Sequence, residues 1–511
     1  MPNNYLIGVD LGTSVVKATL LHIDGVAVAA AHRAMSIARP APGLAEQDPE
    51  AFEAATYATI REVMERSGVA PGAVAAIAFA GQMGGALGVD IAGEALTPWY
   101  PSTLDTRYVP YLTPVMARAG DRVWAIGGAV PLVAPRMAWW KAVHPGVYAH
   151  IHKFMILANY VAARLGGVRG EDLFIDPSYL IFAGVADTAN RRWSPELMAV
   201  WDFPEAKLPR IAAADAVVGK LTPAAASACG LVAGIPLVAG AGDQVAGFLG
   251  AGLVENGEMI DVAGTFPVLG TCLDHFVVDA THRMWQTMPD PLGPNHWYPL
   301  TYIGGGGLTH RWFLEQFGPL DAGAAGTDLY ARWDAAAATV EPGAEGLIFI
   351  PHLLGRACPD DPAVRGAWIG FSWTHEPRHF YRAVLESIGY DFAVALGLLR
   401  EMEPTLPPRE VRVIGGGARS GVWNQLKSDI LGVPYRRLAV IDRAALGCAI
   451  IAGHAVGIYP DMAAVARKFA QPEAGWMPDV AAHERYRGYV KVYDEAFVGL
   501  RGVFEGLERE R

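Results

Sequence analysis

The sequence predicts an α/β protein with two similar domains that face a shared cleft. An apolar strand, a Gly-Thr turn and a second apolar strand occur near the start, in "GVDLGTSVVKA", and again in the second half, in "DVAGTFPV". Strands, glycine loops and amphipathic helices alternate elsewhere, which is typical of α/β folds. Because 511 residues exceed one compact domain, we place a boundary near residue 253, giving domains 1–253 and 254–511.

Composition limits the classes of partner. The formal net charge of −11, without a basic tract, argues against nucleic acid. Four cysteines lie far apart with no CxxC pair, so their spacing indicates neither a zinc centre nor disulfides, and a reducing cytoplasm is the simplest setting. The uncharged run 221–242 carries Pro, Ser, Thr and several Gly, which suit lipid poorly. We therefore expect no membrane partner.

The first hairpin has the residues of a phosphate-binding turn. Asp10 ends a predicted buried strand, and Gly12, Thr13 and Ser14 offer backbone N–H and hydroxyl donors after it. Such a turn can cup phosphate oxygens, while Asp10 could hold Mg²⁺ directly or through water. Lys17 adds a positive charge nearby. The alternative is an ordinary hairpin with Asp and Gly as turn formers.

The second hairpin offers donors from the other domain. Gly264 and Thr265 form its turn, and two donor turns on opposite domains are what a triphosphate lying across a cleft needs. "IGGGGLTHRW", which contains Gly307, is a further glycine turn whose use the residues leave open.

A third glycine loop, "IGGGARSGVWN", joins a predicted strand to a helix. Gly416 and Gly417 let the backbone approach a ligand at the positive helix N-terminus. Ser420 can cap that helix, which does not exclude ligand contact. No GxGxxG or GxxxxGK[ST] spacing is present, so neither a Rossmann nor a P-loop site is supported.

Asp243 is a lone carboxylate in "GAGDQVAGFLGAG", a stretch of otherwise small or apolar residues apart from one glutamine. A buried carboxylate is unfavourable unless it is paired or used. The preceding glycines permit a sharp exit from a strand, and the following residues can start a helix, whose N-terminus favours the charged form. Asp243 is therefore available as a base or a magnesium ligand, and a simple helix cap is the alternative.

Together these motifs resemble the FGGY carbohydrate kinases, in the superfamily of actin, hexokinase and the heat-shock chaperone ATPases. The resemblance runs nearly end to end and also rests on "EQDPE", "GQMGG", "LDTR", "RHFYRAVLES" and "ALGCAIIAG". It implies two ribonuclease-H-like (actin/hexokinase-type) domains around a central cleft, closing on ATP, Mg²⁺ and a small sugar or polyol. It also implies a homodimer.

The resemblance further implies a role for each matching residue. Asp243 would be the general base, and Asp10 and Asp243 would hold Mg²⁺. The first domain would bind the sugar through Gln82, Met83, Gly84, Asp105, Asp243 and Gln244. The ATP contacts would come from Gly12, Thr13, Ser14, Lys17, Gly264, Thr265, Gly307, Gly416, Gly417 and Ser420.

The motifs favour a ketopentose such as D-xylulose as acceptor. "GQMGG" matches the "GQMHG" of xylulose kinases except at Gly84, which replaces a histidine that touches the sugar there. We expect the sugar pocket to have one hydrogen-bond donor fewer and more room at this glycine. Gln244 stands where Asn is usual, and Thr103 where Trp is usual. Glycerol, erythritol, ribulose, gluconate or another polyol stay open, as does a catalytically silent, actin-like nucleotide- or sugar-binding protein.

Overall fold

The computed structural model describes residues 4–318, 328–406, 409–439 and 442–510. The strands of the two main sheets are β1 (Tyr5–Leu11), β2 (Val15–His22), β3 (Ala27–Ala34), β4 (Val74–Gly81), β11 (Val217–Lys220), β12 (Pro236–Gly242), β13 (Glu258–Val262), β14 (Val268–Thr271), β15 (Gln286–Pro289), β16 (Trp297–Tyr302), β19 (Glu410–Ile414), β20 (Tyr435–Leu438) and β21 (Pro472–Trp476). Four minor two-stranded sheets contain β5 (Leu87–Val89), β6 (Lys153–Met155), β7 (Phe174–Ile175), β8 (Ala186–Asp187), β9 (Arg192–Trp193), β10 (Arg210–Ile211), β17 (Ile348–Ile350) and β18 (Ala367–Ile369).

The α-helices of the described residues are α1 (Pro49–Ser67), α2 (Val109–Gly127), α3 (Ala134–Val143), α4 (Pro145–His150), α5 (Leu157–Gly166), α6 (Pro195–Trp201), α7 (Pro223–Cys229), α8 (Asp243–Gly250), α9 (Gly306–Phe317), α10 (Leu329–Ala338), α11 (Pro377–Met402), α12 (Gly421–Leu431), α13 (Arg443–Ala455), α14 (Met462–Phe469) and α15 (Val480–Arg509). None of these helices combines the length and the apolar character that crossing a membrane requires.

Local signals explain where key helices begin and end. The Asp48 carboxylate accepts the N–H of Glu50 at the start of α1, which ends at Gly68 in the left-handed region at φ 63°. The Ser420 hydroxyl caps α12 in the same way, and that helix ends at Gly432 at φ 67°. These helices therefore start and stop on side chains and glycines visible in the sequence.

The first sheet has the strand order β11-β12-β4-β1-β2-β3. β1 pairs antiparallel with β2 and parallel with β4, and β4 pairs parallel with β12. Every residue of β4 is buried, because α5 and α13 pack on this part of the sheet. The parallel centre places the carboxyl ends of β1, β4 and β12 at one edge of the sheet.

The second sheet repeats this arrangement. Its order is β15-β16-β14-β13-β19-β20-β21. β13 pairs antiparallel with β14 and parallel with β19, which pairs parallel with β20. The five strands β16-β14-β13-β19-β20 therefore correspond to β3-β2-β1-β4-β12. The predicted pair of similar α/β domains is confirmed, and the two Gly-Thr hairpins occupy equivalent places in the two sheets.

Helices α8 and α13 hold the two halves of the chain together. A β carbon on Gly447 in α13 would lie 1.9 Å from the carbonyl oxygen of Ala246 in α8, so the two backbones touch. α13 also reaches β1, where a β carbon on Gly8 would lie 2.2 Å from the carbonyl oxygen of Ala445. A helix of the second half thus packs on the first sheet. It brings Asp442, its N-terminal cap, next to the first hairpin.

Candidate active site

Asp10 lies near the end of β1 in a cluster of charged groups. Lys17 Nζ is 3.5 Å from Asp10 Oδ2 and 3.2 Å from Asp442 Oδ2. Burial, together with the charges of Asp442 and Asp243, raises the pKa of Asp10 to about 7. Asp10 Oδ1 is buried and has no hydrogen-bond partner among the described residues. The carboxyl groups of Asp10 and Asp442 thus meet the ammonium group of Lys17 beside this turn, and the charge of Asp243 acts on Asp10. We call Asp10, Asp243, Asp442 and Lys17 the carboxylate cluster.

Asp243 is the first residue of α8, and Gly242 rather than Asp243 is the helix cap. One Asp243 carboxyl oxygen accepts the N–H of Gln244 at 2.7 Å. Burial raises the pKa of Asp243 to about 6, so burial outweighs the effect of the helix N-terminus, which favours the charged form. The preceding glycines are required by close packing, since a β carbon on Gly240 would lie 1.8 Å from the carbonyl oxygen of Phe79.

A buried polar network supports the strand end that carries Asp243. The N–H of Gly242 donates to Ser178 Oγ at 2.7 Å, and the Ser178 hydroxyl donates to the Asp176 carboxylate. The Tyr179 hydroxyl reaches the carbonyl groups at the ends of β4 and β12, at 3.2 and 3.3 Å. These contacts tie the chain entering α8 to the neighbouring parallel strand. The sequence analysis did not single out any of these three side chains.

Gln82 connects the first hairpin turn to the "EQDPE" motif. Thr13 Oγ1 donates to Gln82 Oε1 at 3.2 Å, Gln82 Nε2 donates to Gln47 Oε1 at 3.1 Å, and Gln47 Nε2 donates to the Thr13 carbonyl at 2.8 Å. This ring of bonds fixes the turn against the predicted sugar motif. The Thr13 hydroxyl is thus directed at Gln82 in this structure. Gln47 belongs to a motif that carried the resemblance but was not among the predicted site residues.

Asp105 is fully buried and its carboxylate is satisfied by the protein. It accepts the N–H of Ala45 at 2.9 Å and Arg107 Nε at 2.8 Å. Arg136, which the sequence analysis missed, is also fully buried and donates to the carbonyl groups of Gly84 at 2.9 Å and Asp105 at 3.0 Å. It thereby joins two of the predicted substrate loops. Its signal was available, because it is the only charge in the run 127–140.

Gly84 sits in a more crowded place than its sequence suggests. Its φ is 75°, and a β carbon there would lie 2.6 Å from Leu132 Cδ1 and 3.3 Å from Ser102 Oγ. The expectation of extra room at this position is therefore wrong, because Leu132 fills the space. Met83 beside it is buried against Gly242. A β carbon added at Gly242 would lie 2.5 Å from Met83 Sδ.

We call the parts of the chain built on the first and second sheets the first and second lobes. The second lobe contains a cavity of about 550 Å³, which brings together the nucleotide-binding residues predicted for this lobe. Those residues are Gly264, Thr265, Gly307, Gly416, Gly417 and Ser420. The approach is close, since a β carbon on Gly307 would lie 2.2 Å from the Gly264 carbonyl oxygen. Among the described residues, the lining does not include Gly12, Thr13, Ser14 or Lys17. The predicted residues thus form two groups, one in each lobe.

The cavity wall also contains residues that no sequence pattern indicated. His310 Nε2 contacts the Tyr381 hydroxyl, and that hydroxyl donates to Asp334 Oδ1 at 3.1 Å. Burial lowers the pKa of His310 to about 4, so the ring is neutral. Ser420 Oγ accepts the N–H of Trp423 at 3.0 Å, so it caps α12 while it lines the cavity. The polar wall beyond the glycine loops is therefore built by tertiary contacts.

Two family models together match most of the chain. The N-terminal domain of the FGGY family of carbohydrate kinases matches residues 5–250, and the C-terminal domain matches residues 262–456. The chain belongs to the FGGY family of carbohydrate kinases. The predicted family, the two-lobed fold and the assignment as a carbohydrate kinase are confirmed.

Relatives of this FGGY kinase carry different substrate names. It is 29% identical over 435 residues to the xylulose kinase of Escherichia coli (strain K12), covering 83% of this chain and 84% of the relative. It is 26% identical over 464 residues to a gluconokinase of Bacillus licheniformis, covering 89% of this chain and 88% of the relative. The crystal structure of xylulose kinase from Rhodospirillum rubrum has the same fold, with a TM-score of 0.88 at 24% identity over 98% of this chain and 100% of that one. The domain boundary, the role of each site residue and the homodimer stay predictions.

Proposed function

We propose that this FGGY kinase transfers the γ-phosphoryl group of ATP to a hydroxyl of a ketopentose such as D-xylulose, with Asp243 as the general base. The observation that carries the proposal is the carboxylate cluster, in which Asp243 lies close enough to Asp10 for its charge to raise the pKa of Asp10. Phosphoryl transfer requires positioning, charge neutralisation and a late proton acceptor. With a pKa of about 6, Asp243 is deprotonated at neutral pH and can take the proton of the acceptor hydroxyl.

The carboxylate cluster also fits a divalent cation. Asp10 Oδ1 is buried without a partner, and carboxylate oxygens are the ligands that Mg²⁺ prefers. We infer that Asp10 holds Mg²⁺ with help from Asp243, and that the ion, when bound, offsets the negative charge of the phosphates. Lys17 keeps one positive charge between Asp10 and Asp442. The chain itself thus supplies both the anionic ligands and a cation for the nucleotide's tail.

The glycine-lined cavity of the second lobe is the proposed nucleotide site. The loops holding Gly264 and Gly416 line this cavity, and α9 and α12 begin at its wall. Helix N-termini favour anionic groups. Closure of the two lobes would bring this cavity to the carboxylate cluster and exclude water, which otherwise competes as acceptor.

The charges around the sugar motif favour a neutral acceptor over an aldonate. Arg107 is paired with the carboxylates of Asp105 and Glu46, at 2.8 and 2.7 Å. Arg136 donates to the backbone carbonyls of Gly84, Leu132 and Asp105. Both guanidinium groups next to the predicted substrate loops are therefore already committed to protein oxygens. The similarity to the E. coli xylulose kinase agrees with a neutral pentulose.

An acceptor panel tests the proposal. ADP release would be measured with D-xylulose, D-ribulose, erythritol, glycerol and gluconate, each against the same protein carrying Asp243→Asn. We expect the highest kcat/KM with a pentulose, the lowest with gluconate, and ADP release that depends on Asp243 for every accepted sugar. Preference for glycerol or gluconate over both pentuloses would refute the proposed acceptor. A protein that turns over no acceptor would instead match the silent binding protein.

A further inference from the structure

Three side chains of the kinds that bind metals meet at one edge of the second sheet, away from the carboxylate cluster. Cys272 directly follows β14, Asp290 directly follows β15, and His296 directly precedes β16. One potential ligand atom from each side chain lies within 4.8 Å of the other two. The three strands are neighbours in the order β15-β16-β14, so the sheet itself brings these strand ends together.

Two of these side chains present buried polar atoms that lack a partner. Asp290 Oδ2 and His296 Nδ1 form no hydrogen bond of normal geometry among the described residues, and Asp290 is only 2% exposed. The Tyr298 hydroxyl lies near the Asp290 carboxylate but donates to the Leu253 carbonyl oxygen. The other carboxyl oxygen of Asp290 accepts the N–H of Leu292 at 2.5 Å. An unsatisfied buried polar atom lowers stability. The arrangement therefore favours a species that engages the free carboxylate oxygen and the imidazole nitrogen at once.

We propose that Cys272, Asp290 and His296 bind one Zn²⁺ ion, with a water molecule completing a tetrahedral set. A thiolate, an imidazole and a carboxylate together favour zinc over Mg²⁺, which takes oxygen ligands. Ligand atoms around one tetrahedral zinc ion lie about 3.3–3.6 Å apart, because the metal–ligand bonds are about 2.0–2.3 Å long. The observed separation of up to 4.8 Å closes with a movement of about 1 Å, within the range of small side-chain rotations. Binding releases the thiol proton of Cys272 to solvent.

The ion would stabilise a region in which the two halves of the chain are in contact. Arg191 of the first half donates to the His296 carbonyl oxygen at 3.3 Å, and its guanidinium lies 5.1 Å from the centroid of the Trp297 ring. The Tyr298 hydroxyl donates to the Leu253 carbonyl oxygen at 2.7 Å. All of these contacts use the turn and strand that carry His296. Zinc would therefore stiffen the β15–β16 turn at the join between the lobes, independently of the proposed acceptor.

Cobalt substitution tests the site in the full chain. Tag-free protein treated with EDTA would be titrated with Co²⁺ in the presence of excess Mg²⁺, which occupies oxygen-only sites. We expect one equivalent of Co²⁺ to give a thiolate-to-cobalt charge-transfer band together with the strong visible bands of tetrahedral cobalt. One equivalent of Zn²⁺ should remove both. A protein that holds only water at this place would give neither band, and this result would overturn the proposal.

Variants separate the three ligands from general effects on folding. Cys272→Ala should abolish the charge-transfer band, and His296→Gln, at a half-exposed position, should weaken Co²⁺ binding by about 100-fold or more, since even outer-shell changes cost about 10–100-fold. The matched control is Cys229→Ala, which removes another buried thiol and should leave the spectrum unchanged. Zn²⁺ should raise the Tm of the wild type and of this control but not of the two ligand variants. An unchanged band in Cys272→Ala would also refute the site.

Discussion

The two Gly-Thr hairpins share one topology, but their aspartates have different charged neighbours. Asp10 near the end of β1 shares the half-exposed Lys17 with Asp442. Asp261, near the end of β13, forms a buried ion pair with Lys427 of α12. Burial raises the pKa of both aspartates, and Lys427 opposes the rise at Asp261.

This difference shows that a strand and its turn do not decide what an aspartate does. In the second lobe one buried lysine neutralises one carboxylate, and the pair links a strand to a helix. In the first lobe the charges of three carboxyl groups face one lysine, which leaves surplus negative charge beside the turn. A buried oxygen does not distinguish the two aspartates, because Oδ1 of each lacks a hydrogen-bond partner among the described residues. Surplus charge is unfavourable for stability and suited to a cation and a proton acceptor. The comparison therefore favours a chemical role for Asp10 and a structural role for Asp261, while the turn of the second hairpin keeps its proposed place in the nucleotide site.

The largest expected effect is on turnover and concerns Asp243, whose charge acts on Asp10 of the first hairpin. Asp243→Asn removes the proposed proton acceptor while keeping the shape of the side chain, so we expect kcat to fall about 10²–10⁴-fold with little change in the Kd for ATP. ADP release with the accepted sugar and calorimetric titration with ATP measure the two quantities. Asp48→Asn, at the start of α1 in the same lobe, is the control and should leave kcat unchanged. Undiminished turnover in Asp243→Asn would show that Asp243 is not the general base.

The next effect is on stability, at the second hairpin. Asp261→Asn leaves the buried ammonium of Lys427 without its partner, so we expect the free energy of unfolding to fall by about 3–5 kcal/mol. Replacing both residues, in Asp261→Leu/Lys427→Met, should cost much less, because the pair is exchanged for apolar side chains of similar size. Urea unfolding followed by tryptophan fluorescence compares the three proteins. A single variant as stable as the double would mean that the pair contributes nothing.

The sequence predicted the hairpins, the glycine loops, Asp10 and Asp243 because each leaves a local pattern, whereas Asp261 was not singled out. It could not predict the partners that distinguish the two aspartates. Lys427 is 166 residues from Asp261 along the chain. Asp442 reaches the first hairpin only because α13 crosses to the first sheet. Likewise Arg136 and His310 make their contacts with segments distant in the sequence. A local sequence motif does not predict such contacts.

The smallest and most specific effect is a gain in stability from Asp10→Asn. The pKa of Asp10 is about 7 in the folded protein and about 4 in an unfolded chain. Between these values the folded state binds the proton more tightly than the unfolded state, so the carboxyl group lowers stability as pH rises from about 4 to 7. We expect Asp10→Asn to raise the free energy of unfolding by about 1–2 kcal/mol at pH 8 without Mg²⁺, and by little at pH 4. This gain is less than the roughly 4 kcal/mol that corresponds to a pKa shift from about 4 to about 7, because the variant also loses the ion pair with Lys17.

Thermal unfolding of Asp10→Asn and wild type at both pH values, with and without Mg²⁺, measures this gain. Mg²⁺ should raise the wild-type Tm more than that of the variant, because the proposed ligand is gone. The gain in stability should come with a loss of turnover. A variant that is less stable than wild type at pH 8 would mean that Lys17 fully compensates Asp10, and the two hairpins would then be electrostatically alike. Opposite signs for Asp10→Asn and Asp261→Asn, at equivalent strand ends, would instead show that the carboxylate cluster is kept at the expense of stability.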